Sequence, residues 1–114
     1  MTYRTEFPDY RSTIPDVFLS APWRDESWHN DVCPSFARVI PNGDGEEVHV
    51  YVEEEKVEDR DCWTSAGCEP NELARYSVYT TDDEGQFIDN SVFYADSLAA
   101  VLDHVGFLTG EVAR

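Results

Sequence analysis

An α+β domain is predicted, a four-stranded antiparallel sheet made of two hairpins with a carboxy-terminal helix on one face and an irregular amino-terminal segment. Three observations predict it. EVHVYVE alternates apolar and polar residues strictly, LARYSVYT and FIDNSVFY flank a TDDEGQ turn, and DSLAAVLDHVG spaces its apolar residues as a helix does. At 114 residues the chain is the size of one domain, and 41% hydrophobic residues supply a core.

Residues 1–34 carry weak periodicity, and Pro8, Pro15, Pro22 and Pro34 interrupt any long helix or central strand. Only a short helical turn after Thr13, with Pro15 in its first turn, is expected there, and the rest wraps the domain. SFARVI, the turn chemistry of PNGDGE and the valines of EVHVYVE predict strands near 35–40 and 47–53. Val48, Val50 and Val52 share the core face. The stretch from Glu54 to Glu72 reads as a long polar loop. The second hairpin places strands near 73–80 and 86–94. A helix over 96–106 follows, with Leu98, Val101, Leu102 and Val105 on one face, Asp96 or Ser97 as cap and Gly106 as stop.

Charge is the outlying property. Twenty-four acidic residues against eight basic ones leave −16, and −7 of it lies between Asp44 and Asp61. Such a surface repels nucleic acid and anionic membrane and attracts basic proteins or cations. A salt-adapted organism would load any structural domain with carboxylates, and the single lysine suits that alternative; the clustering of the acids opposes it. The amino-terminal residues show no apolar signal core and no later run is long enough to span a bilayer, so a cytoplasmic location is expected.

Catalytic chemistry finds no matching pattern: there is no nucleophile elbow, no Cys–His signature and no phosphate-binding glycine loop. A non-enzymatic protein without cofactor is therefore expected. The turn around Gly85 fails as a calcium loop, because Thr80 and Ser91 would stand where that loop needs its first ligand and its bidentate glutamate. His29, Cys33, Cys62 and Cys68 could close a tetrahedral zinc site, although their spacings match no common knuckle or finger. The three cysteines, odd in number, otherwise read as free thiols. Trp23 and Trp28 either pin the amino-terminal segment to the core or form an aromatic contact for a partner.

Glu47, His49, Tyr51, Glu53 and Glu55 alternate with the valines and are expected on the opposite face, repeating about every 6.6 Å. The candidate partner-binding residues are Glu46, Glu47, Glu53, Glu54, Glu55, Glu58, Asp59 and Asp61, with Asp82, Asp83 and Glu84 as a second group. Carboxylates at such spacing could occupy the groove of a protein that reads phosphates through Lys and Arg. In size, charge and α+β pattern the chain resembles the small acidic proteins of phages and mobile elements that inhibit restriction or CRISPR effectors, some of them DNA mimics. The resemblance implies a stoichiometric inhibitor, without catalysis or cofactor, of a basic nucleic-acid-binding protein, and assigns no individual residue.

Overall fold

A computed structural model describes residues 2–31, 33–41, 43–56, 74–88 and 92–110. Their order is α1 (Tyr3–Glu6), a 3-10 turn (Asp16–Leu19), β1 (Arg24–Asp25), β2 (Ser35–Val39), β3 (Glu47–Val52), β4 (Tyr76–Thr81), β5 (Phe93–Ala95) and α2 (Leu98–Thr109). Among the described residues the strands form one antiparallel sheet in the order β1-β2-β3-β4-β5.

The α+β class and carboxy-terminal helix agree with the sequence, whereas the sheet has five strands rather than four. The extra strand is the charged pair Arg24–Asp25, which lies against Ala37 and Phe36 inside the segment expected to be irregular. Two residues carry no period, so this strand exists only because β2 offers it an edge. The amino-terminal turn starts at Asp16, after Pro15, and no side chain caps it. The return strand expected over 86–94 is the three-residue β5, preceded by a single bridge from Phe87 to Thr81.

Helix α2 runs past Gly106, which is buried within it, to Gly110 at φ 78. The expected stop at Gly106 is thus overrun, and because left-handed backbone costs glycine little, Gly110 ends the helix instead. At the other end the Ser97 side chain accepts a hydrogen bond from Ala100 N–H. Asp96 instead accepts one from the Arg75 backbone N–H at 2.9 Å, tying the start of α2 to β4.

Phe36, Val50, Val78 and Phe93 form one row across the covered face of the sheet. Val48, Val50 and Val52 are fully buried there, as their alternation requires. A helix is only about 10 Å wide, while five strands span about 20 Å, so α2 cannot cover the face alone. Val101 and Val105 of α2 share it with Ile14, Phe18 and Trp23 from the amino-terminal segment. The wrapping segment is thus half of the core's second layer.

Burial of two phenols sets an alkaline limit to this packing. Desolvation raises Tyr10 and Tyr51 from the ordinary 10.0 to about 12, and the Tyr10 hydroxyl donates to the Glu53 carbonyl at 3.0 Å. A raised folded pKa contributes stability below the unfolded value and loses it as pH rises through the folded one. The urea midpoint is therefore expected to fall between about pH 10 and pH 12. Subtracting the tyrosinate absorbance curves of Tyr10→Phe and Tyr51→Phe from the native one should show both phenols ionising near the upper value; ordinary midpoints would contradict the burial argument.

Candidate protein-binding surface

The β2–β3 turn is built from Asp44 and Gly45, both with positive φ, and is closed by the Glu46 N–H donating to the Gly43 carbonyl at 2.9 Å. An Asp-Gly pair tolerates that backbone at low cost. Gly45 lies so close to the β4–β5 tip that a Cβ on it would sit 2.8 Å from the Asp83 Cβ. Two turns remote in sequence therefore meet at one end of the sheet. They bring Asp44 and Glu46 beside Asp82, Asp83 and Glu84, while Glu47 lies opposite Thr81 in the last paired row.

The described acids of the 44–61 stretch do not form one surface. Six residues of extended chain separate Glu47 from Glu53 by about 20 Å, so Asp44, Glu46 and Glu47 lie towards one end of the sheet and Glu53, Glu54 and Glu55 towards the other. Asp83, expected in a second group with Asp82 and Glu84, lies against Gly45 beside the first group.

At the second end Glu53 and Glu54 serve the fold. Glu53 was expected on the open face, yet it is only 7% exposed, because Tyr10 and the chain around Thr13 wrap over the end of β3. Its backbone carbonyl accepts from Tyr10 and from the Arg75 Nε, at 3.0 and 3.1 Å. The Glu54 carboxylate accepts from Arg11 N–H at 3.0 Å, Ser12 N–H at 2.9 Å and the Ser12 hydroxyl at 2.6 Å. Glu55 is exposed and lies 3.7 Å from the Arg75 guanidinium. Glu58, Asp59 and Asp61 lie outside the described residues.

The zinc reading divides in the same way. The His29 Nδ1 is 3.0 Å from the Glu6 carboxylate, an interaction that holds the Glu6 carboxyl below its usual range and links α1 to the segment after β1. Cys33 is buried, and desolvation followed by the neighbouring Glu53 carboxylate pushes its thiol well up. Cys62 and Cys68 lie outside the described residues, and no cluster of three metal-ligating side chains occurs within them. Trp23 is buried against Phe18, as a pin would be, while Trp28 stays 43% exposed beside His29.

The open face of the sheet holds a feature that the acid count concealed. Residues paired with Tyr51 and His49 are Ser77 and Tyr79 on β4, so Tyr51 and Tyr79 stand on the face away from the core. Their rings meet edge-on at 5.6 Å; Phe87 packs 5.1 Å from Tyr79 and 6.1 Å from His49. Arg24 lies on the same face above Ala37, its guanidinium 2.9 Å from both Glu26 and Glu47. Burial lowers the His49 pKa against the opposing pull of Glu47 and Glu26. Strand alternation already placed His49 and Tyr51 here; Tyr79 and Phe87 join them through the β3–β4 register and the Phe87 bridge.

Comparison of the chain with protein-family models, with curated proteins and with solved structures finds no match. Among the described residues no helix is long and apolar enough to cross a membrane.

Proposed function

We propose that the chain is a non-enzymatic acidic binding protein that occupies the basic nucleic-acid-binding surface of another protein, acting stoichiometrically in the manner of a DNA mimic on a restriction or CRISPR effector. The observation that carries this reading is the convergence of Asp44, Glu46, Asp83 and Glu84 from two turns on one end of the sheet. Such a concentration of like charge opposes folding, and an oppositely charged partner relieves it beyond what screening by salt supplies. It also narrows the contact, since Glu53 and Glu54 hold the wrapped segment and Asp82 accepts from the Glu84 and Gln86 N–H groups within its own turn, which leaves Asp44, Glu46, Asp83 and Glu84 as the contact acids.

The test is displacement of labelled duplex DNA from a panel of purified restriction and CRISPR effectors. At least one effector should release its DNA at a one-to-one ratio, with less release as salt screens the contact. The combined change Asp44→Asn, Glu46→Gln, Asp83→Asn and Glu84→Gln removes four charges without touching the core. It is expected to weaken competition at least about tenfold, the scale set by losing several charge pairs. Equal competition by this variant, or retention of DNA by every effector, would overturn the reading.

A further inference from the structure

We infer that the open face of the sheet around Tyr51, Tyr79 and Phe87 is a docking surface for arginine side chains of a basic protein partner. This inference rests on the proposed binding of a basic surface and specifies which face does it and which cation it selects.

Phe87 is 53% exposed and neighbours Tyr79, while Val39, at the same end of the sheet, is 52% exposed. Packing of the fold does not require an exposed phenylalanine on a sheet face. Aromatic rings present a negative quadrupole to a cation, and a guanidinium stacks on them better than an ammonium does, because it is planar and more weakly hydrated. Beside the rings lie the carboxylates that would complete such a site: Glu47 on the same face, and Asp83 and Glu84 at the adjoining tip. The face already holds one guanidinium, that of Arg24 between Glu26 and Glu47, which shows that its carboxylates pair with this group.

Charge complementarity selects among possible occupants. Nucleobases also stack on aromatic sheet faces, but their phosphates would meet the acidic tip of a chain carrying −16. A second copy would bring the same carboxylates together. A partner rich in arginine satisfies both the rings and the charge.

Decaarginine and decalysine peptides carry the same charge and differ in the property at issue. Titrated at one ionic strength, the arginine peptide should bind the native protein about tenfold more tightly, the scale of one or two ring–guanidinium contacts. Phe87→Leu and Tyr79→Leu keep an apolar side chain but remove the ring. Each should bring the arginine-to-lysine ratio towards one while leaving decalysine affinity within about twofold, and an unchanged urea midpoint for the exposed Phe87 site confirms that the fold is intact. A native ratio of one, a ratio unmoved by both variants, or ring-dependent binding of a single-stranded oligonucleotide or of a second copy would overturn the inference. A selective, ring-dependent ratio combined with failure to displace DNA from any effector would sink the mimicry reading and leave the arginine-docking face standing; displacement without selectivity would do the reverse.

Discussion

Phe18→Ala is expected to be the most damaging single substitution outside the turns. The side chain is 1% exposed and meets Trp23 edge-on at 5.0 Å, stacks on Phe36 at 5.8 Å and lies 6.5 Å from Tyr76. It is the point where the amino-terminal layer grips the sheet. Removing a buried phenylalanine costs about 4 kcal/mol through lost transfer energy and the cavity left behind. Small domains have only about 5–15 kcal/mol in total, and self-repulsion among carboxylates reduces it further. Thermal unfolding followed by circular dichroism should show a midpoint roughly 20 °C lower, or no folded baseline. Phe18→Leu should recover most of the loss. A midpoint within a few degrees of the native one would mean that the amino-terminal layer contributes little to stability.

Arg75→Ala is the second large loss. Its guanidinium is 12% exposed and reaches three elements at once: Nε to the Glu53 carbonyl at 3.1 Å, one terminal nitrogen to the Tyr76 hydroxyl at 3.0 Å, and the other to the Thr13 carbonyl at 2.8 Å. Hydrogen bonds from a charged donor are the stronger kind, and truncation takes this donor from the Thr13 carbonyl and from the Glu53 carbonyl, which keeps the Tyr10 hydroxyl. A loss of about 3 kcal/mol in urea unfolding is expected. Lysine keeps the charge but cannot span three acceptors in a planar fork, so Arg75→Lys should recover less than half. Loss of under about 1 kcal/mol for Arg75→Ala would show that the segment is held by its apolar packing and its other hydrogen bonds without need of this guanidinium.

Both predictions concern the amino-terminal third, where the sequence was least informative. Prolines and mixed polarity gave it no period, and without a period neither the two-residue β1 nor the contribution of Phe18 and Ile14 to the core could be read. The strands that were legible are those with alternation, and β3 is the clearest. Val48, Val50 and Val52 point inward because side chains alternate across a pleated sheet, wherever the rest of the chain goes.

The acidic residues were legible as composition, while their grouping in space was not. Charge along a chain is additive, so the excess around 44–61 was plain, but distance along a strand is not distance on a surface. Glu47 and Glu53 are six residues apart and at opposite ends of the sheet, while Glu46 and Asp83, thirty-seven positions apart, lie in turns that touch. Glu53 and Glu54, counted among the contact residues, became part of the fold when the amino-terminal segment closed over them.

Local patterns were thus sufficient for the α+β class, the alternating core of β3, the Asp-Gly turn and the capped helix α2, since each follows from backbone preference and periodicity over a few residues. Long-range closure chose the fifth strand, the second layer over the sheet, the grouping of the acids and the aromatic open face. These depend on which segments compete for the same edges and surfaces. No short-range rule carries that information, because the contacts are made between residues tens of positions apart.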